Sequence, residues 1–476
     1  MNRQRLKFAV TSALTLCASV ATAASNQRPN IIFILSDDGG YADWGFQGSK
    51  QFKTPNLDAM AQKGVILEQA YTTDAVSGPS RAGLMTGRYQ QRFGYEENPV
   101  TGIMSENSKY LGKDMGVPTE EKFIPYYLNQ AGYKCAIFGK WHLGANDETH
   151  PYAKGYEHFV GFRSGGRNYY KYTDQELAKQ GFNEDNLMEY GLGEYREPEV
   201  YVTDLLADEA CKYVVDNKDN PFFIYLSFNA VHAPLQIDKK DKDLFPDIED
   251  PYRRKLAAMA FSMDRAIGRL FDTLKEQGLD ENTIIVFSND NGGPNGTHTS
   301  NYPLRGMKAT FLEGGVRVPA FVVYPGVIEG NTRYPYPVSF MDFLPTFAEA
   351  AGVEIPEDAG LDGVDVIPYL TGKNDGRPHQ TLYWKCENRG VVRDGDLKFM
   401  RFPDRPAELY DISKDCGEQN NIAAQHPELM EKYYKMLFDW EMTLERPRWM
   451  LDRFCEQRVM EQFYEQEEYR NPIEQE

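Results

Sequence analysis

The chain has 476 residues, 41% hydrophobic and 26% charged, which is enough apolar material for a large core and more than one domain. Its formal net charge of −19 excludes a general affinity for nucleic acid or for an acidic membrane. An anionic ligand would have to be gripped by a local cluster of positive charge set against that field.

Residues 1–23 read as a cleavable secretory signal. Arg3, Arg5 and Lys7 form the charged head, Phe8 to Val20 the apolar stretch, and Ala21-Thr22-Ala23 the small-residue cleavage site. The stretch is short for a membrane span and no later segment offers a longer one, so a periplasmic or secreted protein without a membrane span is expected. Beyond the leader, Cys135, Cys211, Cys386, Cys416 and Cys455 are odd in number and lack metal-ligand spacing, which excludes a disulfide scaffold.

From Arg28 an apolar run passes through Ile31-Ile32-Phe33-Ile34-Leu35 and stops abruptly at Ser36-Asp37-Asp38-Gly39-Gly40. It reads as a buried parallel strand, and carboxylates at its C-terminal end stand where open α/β sheets place their active sites. A plain turn is the alternative for Asp-Asp-Gly-Gly alone. A helix starting at Thr54-Pro55 and closed by Gly64 precedes a second strand, Val65 to Tyr71. The next segment, Ser77-Gly78-Pro79-Ser80-Arg81, opens a short helix with Pro79 suited to its first position and Gly87 to its stop. Ser77 then lies at the mouth of a helix N-terminus, where free N–H groups and the macrodipole favour an anion.

Pro125 to Gln130 looks helical, and the run from Gly132 to Gly144 reads as a strand ending in Lys140-Trp141-His142. Lys140 and His142, two apart, point the same way in an extended chain. Residues 151–200 break the regular pattern and crowd Arg163, Gly165, Gly166, Arg167, Asn168, Tyr169, Tyr170 and Tyr172 into a Gly-rich segment, a candidate substrate wall or else a solvated loop. A helix over Val200 to Asp216 and a buried strand over Pro221 to Phe228 lead to Asn229-Ala230-Val231-His232, and Lys255 to Gln277 has helical spacing. Thr283 to Ser288 repeats the first arrangement, an apolar strand running into Asn289-Asp290-Asn291-Gly292-Gly293. Both strand ends thus carry hard oxygen donors, of the kind that suits Ca²⁺ or Mg²⁺ and not Zn²⁺.

His298 is a further candidate substrate contact, and Ala320 to Tyr324 reads as the last long core strand. After about residue 366 the character changes to short antiparallel strands over 381–384, 390–393, 397–401 and 408–412, then a helix from His426 to Leu444. The tail beyond Arg446 reads as helical, either covering the core or joining subunits. The chain therefore divides into a leader (1–23), a large N-terminal domain (24–365) and a C-terminal subdomain (366–476).

Ser77-Gly78-Pro79-Ser80-Arg81, followed by Leu84-Met85-Thr86-Gly87-Arg88, resembles the signature of the type I sulfatases. Gly139-Lys140-Trp141-His142-Leu143-Gly144 and Lys308 with Glu313-Gly314-Gly315-Val316-Arg317-Val318-Pro319 match further motifs in that family's order. The resemblance covers most of the mature chain. It implies an alkaline-phosphatase-like α/β sandwich with a large, mostly parallel mixed sheet, plus a small C-terminal α+β unit with an antiparallel sheet. It also implies that residue 77 is oxidised to formylglycine by a dedicated maturation enzyme, and that its hydrate attacks sulfur. Calcium would be held by Asp37, Asp38, Asp290, Asn291 and an oxygen of residue 77 or of the sulfate. Arg81, Lys140 and Lys308 would neutralise the sulfate, His232 would protonate the departing alcohol, and His142 would take the proton that releases sulfate. Ser77 stands where many members carry Cys. Left unmodified, it would make the chain a binder of sulfated glycans, and the same fold and nucleophile also serve phosphodiester and phosphonate hydrolysis. The implied substrate is a sulfated polysaccharide or oligosaccharide, most like carrageenan, with Arg163, Arg167, Tyr169, Tyr170 and His298 as candidate substrate contacts.

Overall fold

An uninterrupted apolar strand must be covered on both faces, and the sequence supplies several. The computed structural model describes residues 28–464; the expected secretory signal and the end of the tail lie outside the described residues. Its large sheet is built from β1 (Asn30–Ser36), β2 (Val65–Tyr71), β3 (Lys134–Lys140), β4 (His158–Phe162), β5 (Glu189–Tyr190), β6 (Phe222–Ser227), β7 (Thr283–Asn289), β8 (Arg317–Val323) and β9 (Thr332–Ser339). The nine strands lie in the order β5-β4-β3-β6-β1-β7-β8-β2-β9. β4, β3, β6, β1 and β7 run parallel, while β8 is antiparallel to both its neighbours and β5 to β4.

Alternation along β1 builds the sandwich. Ile31, Phe33 and Leu35 join one core with Phe340, Phe343 and Phe347, whereas Ile32 and Ile34 join the opposite core beneath the helices Val202–Asp216 and Pro251–Glu276. A second sheet, β10 (Thr381–Cys386), β11 (Arg389–Asp394), β12 (Leu397–Arg401) and β13 (Glu408–Asp411), is an antiparallel meander. It packs under the helix Pro427–Glu441 and shares a third core with Tyr71, Phe311, Leu312 and Met341 of the larger unit.

The structure departs from the sequence reading at several elements. The helix carrying Ser77 begins at Ser77 itself, so Pro79 is its third residue; the first turn has no N–H bond to lose there. The stretch 151–200 contains β4 and β5 and is not wholly irregular. β4 carries Gly161 because a Cβ there would come within 2.0 Å of the Gly139 carbonyl on β3, and that glycine weakens the strand signal. The expected strand from Ala320 to Tyr324 is the second half of β8, which runs Arg317–Val323 and so starts earlier and stops before Tyr324, and it is not the last strand of the large sheet. β9 follows it, at the sheet edge, where Pro335 and Pro337 are tolerated. The tail forms a helix, Arg453–Val459, and a π-turn whose Tyr464 hydroxyl accepts from the Phe311 N–H at 2.7 Å.

Candidate active site

The register of the parallel strands sets the site. Ser36 of β1 pairs with Asn289 of β7, and Leu35 with Ser227 of β6, so the residues that follow emerge side by side at one edge. Asp37 and Asp38 leave β1 there, Asp290 and Asn291 leave β7, and Lys140 ends β3. β2 ends at Tyr71 on the far side of β8, and its following loop returns the helix Ser77–Thr86 to the same edge. All ten residues of that helix are buried, which an exposed capped helix would not be.

Ser77 Oγ lies 3.3 Å from Asp37 Oδ1 and 3.1 Å from Asn291 Oδ1. Arg81, one turn further, gives Nε and Nη2 to Asp290 Oδ2 at 3.1 and 2.8 Å. Lys140 Nζ reaches Asp37 Oδ2 at 2.8 Å, and Lys308 Nζ reaches Asp38 at 2.8 Å. The Asn291 amide donates to Asp38 Oδ1 at 2.8 Å, and the Asp38 N–H donates to Asp290 Oδ1 at 3.1 Å. Asp38 takes this place with φ of 61°, and His142 has φ of 59°. That corrects the extended-chain argument for Lys140 and His142. Lys140 reaches the cavity as the last residue of β3, and His142 reaches it after a turn in the left-handed region, not as part of an extended chain.

The electrostatics are those of opposed charges taken out of water. Burial works against the Asp290 carboxylate, yet Arg81, Lys140 and Lys308 outweigh it and hold the carboxyl far below its usual range. Burial likewise opposes Asp38, but Lys308 and His232 win and keep it low. At Asp37 burial prevails, reinforced by Asp290, and its carboxyl is pushed up despite Lys140. Burial, then Lys140 and Arg81, push His142 well below the ordinary imidazole value of 6.5, so it is neutral at working pH. His232 places Nε2 3.5 Å from Asp38 Oδ2, and its Nδ1 lies 2.6 Å from the Ala233 carbonyl, a contact that requires the proton on Nδ1.

The donor set suits a hard divalent cation. Asp37 Oδ1 and Asn291 Oδ1 share a single hydroxyl proton at Ser77, which leaves one oxygen without a donor. The upward push on Asp37 is what an added positive charge would relieve. Asp37, Asp38 and His232 offer ligand atoms within 4.8 Å of one another, but the carboxylate and amide oxygens around Asn291 make the set oxygen-rich.

Above the cluster opens a cavity of about 750 Å³, with Ser77, Lys140, His142, His232 and Lys308 on its floor. Its lining also includes residues 98–101, 112, 113, 115, 181–183, 185 and 186, and Lys113 approaches Asp185 at 3.9 Å. Most of the expected sugar contacts are used otherwise. Arg163 borders the cavity, but its guanidinium is taken by Glu189 at 2.7 Å and Asp147 at 2.8 Å. Arg167 is buried on Glu197 at 2.9 Å, and the Tyr170 hydroxyl donates to the Ile237 carbonyl at 3.1 Å. Tyr169 is buried behind His232, and His298 lies against Asp250 and Tyr252, outside the cavity lining. A guanidinium or phenol needs a partner when buried, and here Glu189 and Glu197 of the same stretch hold the two arginines while backbone carbonyls at 229, 232 and 237 take the phenols.

Four residues with no part in the sequence reading also shape the site. Ser227 Oγ donates to the Lys140 carbonyl at 2.7 Å, and Tyr225 OH accepts from Arg81 at 3.3 Å. Tyr95 OH donates to the His142 carbonyl at 2.9 Å, and Asn98 Oδ1 accepts from the Gly78 N–H at 2.7 Å. Ser227 carried the same strand-end signal as Asp37, whereas Tyr95 and Asn98 carried none.

Comparison with known proteins adds the following. A family model described as Sulfatase matches residues 29–353, and one described as N-sulphoglucosamine sulphohydrolase, C-terminal, matches residues 307–442. Arylsulfatase J of Mus musculus is 33% identical over 353 residues, which are 73% of this chain but 56% of that protein. A Sulfatase of Formosa agariphila is 31% identical over 528 residues, covering 93% of this chain and 94% of that one. The crystal structure of Ps i-CgsB in complex with k-i-k-neocarrahexaose superposes with a TM-score of 0.82 at 34% identity, covering 92% of this chain and 97% of the other. The phosphonate monoester hydrolase of Agrobacterium radiobacter, at 20% identity and a TM-score of 0.61, shares the fold.

Proposed function

The chain belongs to the sulfatase family and is a sulfuric ester hydrolase; on that premise we propose that it desulfates a sulfated galactan of the carrageenan type, with formylglycine at position 77 and a calcium ion. The observation that carries the reading is the meeting of Ser77 with Asp37, Asn291, Arg81, Lys140 and Lys308 at the base of one cavity. The galactan is supported by the likeness over nearly the whole chain to a protein crystallised with a neocarrahexaose.

Asp37, Asp38, Asp290 and Asn291 would hold the calcium, which supplies positive charge against the sulfate oxygens when bound. Formylglycine, as its hydrate, would supply the nucleophilic oxygen that an unactivated serine lacks. The chain's own residues do the rest. Lys140 and Lys308, already desolvated against Asp37 and Asp38, stand ready to stabilise charge that builds on the sulfate. Arg81 keeps Asp290 ionised and the N-terminal turn of its helix in register with β7. His232 faces the cavity through Nε2 and, when that nitrogen also carries a proton, would give it to the departing alcohol, while neutral His142 accepts one.

The leader fits a periplasmic or secreted enzyme that meets its polymer outside the cytoplasm. No helix among the described residues is long and apolar enough to cross a membrane. The mass of the residue-77 peptide, from protein made beside a formylglycine-generating enzyme, should be lower by two hydrogens. That material should release sulfate from carrageenan oligosaccharides and act far more slowly on a phosphate diester. An unmodified peptide that merely binds the oligosaccharide, or a faster diester reaction, would overturn the reading.

A further inference from the structure

We propose that the turn from Arg163 to Tyr169 is the positioning device for both cavity histidines, and that Tyr169 aims His232 by holding its backbone. The turn continues β4, which lies beside β3, so the chain after Lys140 is pinned to it: the Trp141 N–H donates to the Phe162 carbonyl at 3.0 Å and the His142 N–H to the Arg163 carbonyl at 3.1 Å. Gly165 lies flat against the His142 ring, where a Cβ would come within 2.6 Å of Nε2. Gly166 lies against the other histidine, where a Cβ would stand 3.2 Å from His232 Cε1 and 3.3 Å from Nδ1. Side chains are absent here because the rings occupy their space.

Tyr169 completes the device. Its hydroxyl sits 2.6 Å from the Asn229 carbonyl and 2.8 Å from the His232 carbonyl, so one proton bridges the two ends of the turn that carries His232. Its ring stacks on Tyr201 at 5.4 Å and 20°, and its N–H donates to Gln236 Oε1 at 2.8 Å. Across the turn, Asp37 and Val231 exchange bonds with β1: the Asp37 N–H donates to the Ala230 carbonyl and the Val231 N–H to the Asp37 carbonyl, each at 2.8 Å. The histidine turn is thus held from one side by β1 and from the other by Tyr169. The Tyr169 ring is fully buried, so it touches the reaction through His232 and not directly.

This inference rests on His232 being the acid that protonates the leaving alcohol. The test uses the matured enzyme and a series of substituted phenyl sulfates running from good to poor leaving groups, since only poor ones need the proton. Tyr169→Phe keeps the stacked ring and should slow the poorest leaving groups by about 10- to 100-fold in kcat with KM little changed, while the best are nearly unaffected. Gly166→Ala reaches the same ring from the other face and should show the same selectivity, which covers the case in which Tyr169→Phe does not fold. His232→Ala reports on the underlying reading: equal loss across the series removes His232 as the acid, and with it the premise. If His232→Ala is selective but Tyr169→Phe and Gly166→Ala slow all the esters alike, or none, the positioning role is overturned.

Discussion

Arg81 is completely buried, and two of its guanidinium N–H groups converge on Asp290 Oδ2 at 3.1 and 2.8 Å. Arg81→Met should therefore strand a buried carboxylate and cost about 3–5 kcal/mol of stability, read as a lower midpoint in urea. His379 carries a pH signature of a different sign. Burial opposes its charge, but Asp342 at 2.6 Å outweighs it and raises the imidazole above 6.5. A folded value above the unfolded one contributes stability that is fully present below pH 6.5 and is lost as pH rises through the folded value. Wild type minus His379→Gln, measured by denaturant unfolding from pH 5 to 9, should shrink across that window; a difference that grows with pH would contradict the pairing. At this scale the sequence was legible where a polar residue closes or directly follows an apolar strand, as at Asp37, Asp290 and Lys140, although Ser227 at the end of β6 carried the same signal and was passed over. It was not legible at Arg163 and Arg167, because their partners Glu189 and Glu197 lie some thirty positions or fewer away in a stretch whose folding no local pattern betrays.

The elements meet through a buried ionic knot as well as through apolar faces. Lys398 of β12 is fully buried between Glu313, at 3.0 Å, and Glu418, at 2.9 Å. Burial raises the Glu418 carboxyl to about 7, whereas at Glu313 Lys398, Arg393 and Arg317 overcome burial and hold it near 2. Glu418 is therefore the carboxylate of this cluster that protonates first. Lys398→Met should leave both acids uncompensated, lower stability by about 3–5 kcal/mol at neutral pH, and lose less at pH 5, where Glu418 is protonated. Equal losses at both pH values would speak against the coupling. In the β sandwich, Phe33 of β1 meets Phe343 edge-on at 5.1 Å, and Phe33→Ala should cost about 3–5 kcal/mol. Most strands of the two sheets were readable from alternation and apolar runs, whereas β4 and β9 were hidden by the Gly161, Pro335 and Pro337 that their positions demand or permit, and the two-residue β5 is too short to show a period.

Across the whole molecule, a chain of net charge −19 concentrates Arg81, Lys140 and Lys308 at one end of its large sheet. The smaller sheet supports that cluster: Arg389 of β11 donates to the Ala309 carbonyl at 3.0 Å, next to Lys308. The fold class could be read from the order of strands and helices together with the family resemblance. The convergence of the site could not be derived from spacing, since Ser77 and Asn291 are 214 positions apart. Dialysis against a chelator should abolish turnover, and calcium should restore it better than zinc, as the oxygen-rich donors around Asp37 and Asn291 favour. The most direct measurement is sulfate release from a carrageenan oligosaccharide by the formylglycine-bearing protein and by Ser77→Ala under the same conditions. Release by the former, slower in the variant by on the order of 10³-fold or more, is the predicted result; equal release by both would contradict residue 77 as the nucleophile.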